Sequence, residues 1–208
     1  MLSNIKKTNL LINRLNENKL YIYTANFNVF YVFCPKQKFS IEANYPLAIS
    51  NGFEDVNGIV DASIKYRFAE GELFKYGASF TFDYLKEKLP FNYQDLDKDY
   101  FFYHVNGFTE MTIPSAEKIH PFVGVGFTYV ICKYEYFNSM DHLFDIAETE
   151  KEKNPGFNFK LGIQYDFTNS FFVQSYFHYI RSFYKSRFNN ETIGINYNQV
   201  KFGIGFRF

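Results

Sequence analysis

The side chains in this sequence able to act as base, nucleophile or soft metal ligand are few: four histidines, two cysteines and scattered serines. A hydroxyl nucleophile needs its base within hydrogen-bond reach, and on a strand that means an even spacing, because side chains alternate between faces. None of His104, His120, His142 or His178 has a serine two positions on. Ser175 and His178 are three apart, so the spacing sends them to opposite faces. Asp95, Asp97 and Asp99 have the spacing that opens a calcium loop, but no glycine follows at the required place and Asn106 stands where the bidentate glutamate belongs. Glu148, Glu150 and Glu152, interleaved with Lys151 and Lys153, read as a mobile charged tip. Cys34 and Cys132 form no redox motif, and a disulfide between them is not expected. These residues therefore assign no catalytic, cofactor or metal site.

The chemistry that remains is paired charge, and its meaning depends on the elements carrying it. Phe and Tyr number 28 and 18 in 208 residues, with no Trp, a usage that favours strands over helices. Acidic and basic residues balance at 22 each, which gives no basic stripe for nucleic acid. No stretch approaches the roughly 18 uncharged apolar residues of a membrane helix, so a membrane location would require a closed barrel.

From about Lys38 onward the chain alternates apolar and polar residues in long runs. Phe39, Ile41, Ala43 and Tyr45 oppose Ser40, Glu42 and Asn44, with Pro46 expected to end the run. Val60 to Phe68 opposes Asp61, Ser63, Lys65 and Arg67; Phe74 to Tyr84 opposes Lys75, Gly77, Ser79, Thr81 and Asp83. The run from Tyr100 to Ile113 is mixed, with Phe102 and Phe108 among His104, Asn106 and Glu110. Three more runs follow, about Lys118 to Tyr136, Phe157 to Phe167 and Phe171 to Tyr179. In the eighth, Val200, Phe202, Ile204, Phe206 and Phe208 oppose Lys201, Gly203, Gly205 and Arg207.

The connections alternate short and long. Ala69 to Gly71, Pro114 to Glu117 and Thr168 to Ser170 have tight-turn lengths, whereas Leu47 to Asn57, Lys86 to Asp99, Phe137 to Gly156 and Lys185 to Asn196 read as long loops. An even-stranded outer-membrane barrel has short periplasmic turns and longer external loops. A soluble ligand-binding barrel is the inverse object, greasy inside and polar outside. Eight strands enclose a space barely wide enough for side chains, and Gly77, Gly124, Gly126, Gly162, Gly203 and Gly205 all fall on the polar face. The polar face is therefore expected inside. The spacing predicts an all-β fold, a closed antiparallel eight-stranded up-and-down transmembrane β-barrel. Its lumen should carry a paired network of Glu42, Asp61, Lys65, Arg67, Lys75, Asp83, Glu110, Lys160, Asp166, Lys201 and Arg207. Such a filled lumen predicts a plugged barrel rather than a steady pore.

The pattern divides the chain into 1–37, a degenerate export signal, mis-assigned start or N-terminal extension, and 38–208, the barrel. In the first part Lys6 and Lys7 precede Leu10 to Ile12, and a second apolar stretch runs from Leu20 to Phe33 without a small-residue cleavage site.

The region from Lys38 to Phe208 resembles the porin-like outer-membrane β-barrel family, relatives of the small barrel of outer membrane protein A. The resemblance rests on Ala43-Asn44-Tyr45-Pro46-Leu47, Gly58-Ile59-Val60-Asp61 leading to Lys65-Tyr66-Arg67-Phe68, and His120-Pro121-Phe122-Val123-Gly124-Val125-Gly126. The terminal Gly203 to Phe208 is similar to the family's assembly signal, with Phe202, Ile204, Phe206 and Phe208 as its apolar positions. The resemblance implies a monomer in the bacterial outer membrane with both termini periplasmic. It implies as partners the membrane lipid, lipopolysaccharide and, during assembly, the barrel-insertion machinery, with an unknown external ligand, no nucleic acid and no cofactor. Some barrels of this size modify lipid A, one kind with a His and a Ser two apart. The absence of that pair favours a non-enzymatic structural or surface-interaction role through the external loops, where Phe53, Phe91, Tyr93, Phe137, Met140, Leu143, Phe144 and Ile146 offer apolar contacts. A lipid-modifying enzyme is the alternative reading, and a soluble ligand-binding barrel the third.

Overall fold

The computed structural model describes residues 21–23, 30–32, 37–49, 56–87, 98–137, 147–186 and 191–208. Within the first part of the chain, β1 (Tyr21–Tyr23) and β2 (Phe30–Val32) pair antiparallel in a separate two-stranded sheet. The rest of 1–36, with Cys34, lies outside the described residues, as do Asp95, Asp97, His142 and the loop residues Phe53, Phe91, Tyr93, Met140, Leu143, Phe144 and Ile146.

Nine strands follow: β3 (Phe39–Ala48), β4 (Val56–Glu70), β5 (Phe74–Glu87), β6 (Lys98–Met111), β7 (Ile119–Phe137), β8 (Ala147–Asp166), β9 (Phe171–Lys185), β10 (Thr192–Asn196) and β11 (Gln199–Arg207). Each pairs antiparallel with its sequence neighbour from β3 to β9, β9 pairs with β11, and β11 returns to β3. The sheet closes as a ring of eight. The terminal β10 and β11 act as one strand: Asn196 faces Arg181 and Gln199 faces His178 at unchanged register along β9. The Tyr197 N–H donates to the Ile180 carbonyl between them. A barrel leaves no unpaired edge around its waist, which a flat sheet of these strands would expose.

Alternation sets the two faces as expected. Ile64, Val105, Val125, Phe127 and Ile204 point outward, Phe127 with 79 % of its surface exposed, in a belt made mostly of apolar side chains. Ser63, Lys65, Asn106, Thr128 and Lys201 on the same strands point inward and are buried. Inward glycines make room for rings: a Cβ on Gly77 would overlap the Phe108 side chain, and one on Gly205 would overlap Phe172.

Three expectations about element ends are corrected. Pro46 does not end its strand. Pairing of β3 with β4 stops at Asn44 opposite Asp61, whereas pairing with β11 continues to Ala48 opposite Gln199. Proline, lacking an N–H, breaks a ladder on one side while leaving the other intact. The expected loop from Phe137 to Gly156 is mostly strand, because β7 and β8 stay paired as far as Phe137 opposite Ala147. The expected loop from Lys185 to Asn196 likewise contains β10. Its tip leaves Thr192 paired with Lys185. In both cases the outward aromatics fade beyond the belt, so apolar alternation stops signalling strand while backbone pairing continues.

Candidate functional site: the filled lumen and the external rim

Charged side chains from strands far apart in sequence meet in the lumen. Lys201 of β11 lies between Asp61 of β4, at 2.5 Å, and Asp83 of β5, which it also contacts. Lys65 pairs with Glu42 at 2.8 Å, and Arg67 grips Glu110 with two bonds of 2.7 and 2.8 Å. Two parallel bonds from a planar guanidinium fix geometry as well as charge. Arg207 donates to Asp166 at 2.6 Å, with His120 on the same carboxylate at 3.0 Å.

Neutral amides join the Lys65–Glu42 pair to the Lys201 cluster in one chain. Gln174 donates to Glu42 and to the Asn44 carbonyl at 2.9 and 2.8 Å, and Asn44 donates to Asp61 at 2.8 Å. Beyond Lys201, Asp83 contacts His104 at 3.2 Å, and His104 reaches Thr128 at 2.7 Å. Asn158 donates to Thr128 at 2.9 Å and contacts the His178 ring at 3.2 Å. Buried charge is tolerated only when paired and hydrogen-bonded, and this network meets that condition with partners from most of the ring.

Of the eleven lumen positions expected from sequence, nine take part in these buried or partly buried pairs. Lys160 is buried but bonds the Thr81 hydroxyl at 3.0 Å rather than a carboxylate. Lys75 is corrected: it sits by the β4–β5 turn with 29 % of its side chain exposed and pairs with Glu70 at 2.9 Å, outside the interior network. Its position near the end of the strand puts it in the mouth of the barrel.

A second layer was not foreseen. Val56, Leu85, Tyr100, Phe102, Val130, Cys132, Ile180 and Tyr197 form a buried apolar cluster above the polar network, at the end of the long hairpins. Tyr100 and Phe102 stack at 6.4 Å between centroids, and Tyr197 meets Phe102 edge-on at 5.3 Å. The sequence carries a signal for it: the inward register that gives Asp83, Thr128 and His178 runs on to Leu85, Val130 and Ile180. Polar packing and apolar plug together fill the lumen.

Asp83, His104 and His178 can bring one ligand atom each within 4.8 Å of one another. They fit a divalent cation poorly, because the Lys201 ammonium already contacts Asp83 and would repel it at close range. Ser175 lies half-buried on the outer face and His178 is buried inside, so the wall of the barrel separates them. Asp99 accepts the Tyr84 hydroxyl at 2.8 Å. Phe202, Ile204, Phe206 and Phe208 all point outward, each with just over half its surface exposed.

A closed antiparallel ring of eight strands, apolar outside and filled inside, is the architecture of the small outer-membrane β-barrels, and this chain has their fold. Solved structures agree. Ail, the attachment invasion locus protein of Yersinia pestis, superposes with a TM-score of 0.51 at 15 % identity, covering 83 % of this chain and 97 % of that one. Neisserial surface protein A gives 0.51 at 11 % identity over the same shares. A major outer membrane protein from Thermus thermophilus gives 0.58 at 11 % identity, covering 84 % of this chain and all of that one. No protein-family model matches the sequence, and no curated protein does.

Proposed function

We propose that this protein is an integral outer-membrane barrel that conducts no steady current and holds its external loops on a rigid scaffold for a structural or surface-interaction role, without enzymatic activity. The observation that carries this reading is the filled interior: the Lys201 to Asp61 and Asp83 cluster, the Arg67 to Glu110 pair and the apolar layer of Phe102, Leu85 and Ile180 leave the axis occupied. The outward belt supports the membrane location, since a contiguous apolar surface of this extent is costly in water and favourable in hydrocarbon.

The short turns fall at the end where Phe39 and Phe208 exchange backbone hydrogen bonds and Arg207 bonds Ser170. Placing that end in the periplasm sends the long β7–β8 and β9–β10 hairpins outward, toward lipopolysaccharide and external partners. Phe202, Ile204, Phe206 and Phe208 then form the edge read by the insertion machinery, and the protein works as a monomer. Two measurements test the reading. The protein should fractionate with outer membranes and migrate differently on gels before and after boiling, and planar-bilayer recordings should show no large, steady openings. Recovery in the soluble fraction without a heat shift would overturn the location, and steady conductance would overturn the filled lumen.

A further inference from the structure

Two hairpins rise beyond the closed ring, and they are held differently. β7 stays paired with β6 as far as Tyr134 opposite Lys98, so the β7–β8 hairpin keeps one flank in the sheet. The β9–β10 hairpin keeps neither. On one side the β8–β9 ladder ends at Gly156 opposite Ser182. On the other, β10 pairs with β9 alone among the described residues, and pairing with β3 starts only at Gln199 opposite Ala48.

Each parting has a local cause. The next pair of the β8–β9 ladder would set Pro155 against Phe183. The β7–β8 ladder runs past Pro155, opposite Tyr129, without a break, so the missing N–H falls on the β9 side. The strands part there around a cleft of about 430 Å³, with Lys153, Asn154 and Pro155 on one wall and Phe183, Tyr184 and Thr192 on the other. The parting of β3 from β4 differs, because Gly58 closes it: a Cβ there would overlap the Pro46 carbonyl. At the foot of β10 the strand is interrupted at Tyr197 and Asn198, where the Asn198 carbonyl accepts the Ile49 N–H at 2.9 Å.

A two-stranded hairpin without a neighbour on either edge is marginal by itself, and a wedge seats this one. Tyr197 is buried in the apolar layer, edge-on to Phe102 at 5.3 Å and 6.1 Å from Tyr100, and Ile195 packs on the same layer. Outside, Phe183 meets Phe157 at 6.0 Å. Elements of low local stability open without the rest of a fold, turning on a few residues at element ends. Resting on the outer-membrane reading above, we propose that the β9–β10 hairpin is a lid on the external mouth. It turns about Ser182 and Asn198, draws Tyr197 and Ile195 out of the apolar layer, and uncovers Tyr100, Phe102 and Cys132. The polar network beneath keeps its partners, so the lid opens a site at the mouth and no pore.

The test uses the full-length protein folded in detergent micelles, with Cys34→Ala so that the buried Cys132 is the single thiol. Two rates are followed under native conditions, hydrogen exchange by mass spectrometry and alkylation of Cys132 by a maleimide. Amides of 183–185 and 192–196 should exchange as one unit, about tenfold or more faster than those of β11. Cys132 should react through the same opening, about a hundredfold faster than the heat-shifted gel form is lost. Fraying of the hairpin alone would leave Cys132 shielded. Pro155→Val supplies the missing donor and should slow both rates about fivefold, as one added hydrogen bond implies. The parent's two rates need no variant, so they decide the matter if Pro155→Val does not fold. The lid is overturned if 192–196 exchange no faster than β11, if Cys132 reacts only as fast as the barrel unfolds, or if a folded Pro155→Val changes neither rate. None of these outcomes alters fractionation or conductance, so failure of the lid is distinct from failure of the barrel.

Discussion

Lys201 and Lys153 have the same chemistry and opposite surroundings. Lys201, inward on β11, is wholly buried and held by Asp61 and Asp83 from β4 and β5, two and three strands round the ring. Lys153 stands outward on β8 next to Glu152 and three residues from Glu150, yet both acids turn to Tyr134 on the other face. In the lumen, alternation gathers opposite charges from different strands into one space, and the low dielectric makes each pairing matter. At the rim, the same alternation separates neighbouring opposite charges and leaves cations facing outward. Sign alone therefore says nothing about a charge's role in this fold; face and height along the barrel decide it.

The sharpest way to break the contrast is to remove a lumen cation. Lys201→Met leaves Asp61 and Asp83 buried side by side without their shared partner, and should cost about 3–5 kcal/mol in denaturant unfolding followed by circular dichroism in micelles. A cost below about 1 kcal/mol would mean the interior is wet enough to screen both acids. Next, Ile204→Arg puts a charge on the belt and should cost about 2–4 kcal/mol if the residue lies at the midplane. Retained stability there would move the membrane boundary. Gly205→Val sets a side chain against the Phe172 ring and should cost about 1–3 kcal/mol by overpacking. Lys75→Ala removes a half-exposed pair at the barrel mouth and should change stability by no more than about 1 kcal/mol, less at high salt. Smallest of all, Gln variants of the exposed Lys151, Lys153 and Lys185 should leave the unfolding midpoint unchanged. A large stability loss there would mean those lysines are paired after all.

The strand faces were legible because a period of two survives in any strand with one apolar side. Even the mixed run was readable in this way: Phe102 and Phe108 sit inside because His104, Asn106 and Glu110 share their parity. Strand ends were less legible. Pro46 read as a stop because proline ends ladders, but a barrel strand has two ladders and proline ends one. The β7–β8 and β9–β10 extensions were hidden because charged strand above the belt has the composition of a loop. The lumen residues could be named as a set, apart from Lys75, since inward parity needs no knowledge of neighbours.

Alone, then, the amino-acid order determined which residues turn inward, how many strands close the ring, and that the outward-parity aromatics form the outer surface. These are properties of local alternation and of loop lengths. Partnership was decided only by the closed structure. Lys201 meets Asp61 across 140 positions, and Gln174 joins Glu42 across 132. Ring closure, register and barrel width set such meetings, and none of them leaves a mark at short range. The same holds for the apolar layer of Leu85, Val130 and Ile180.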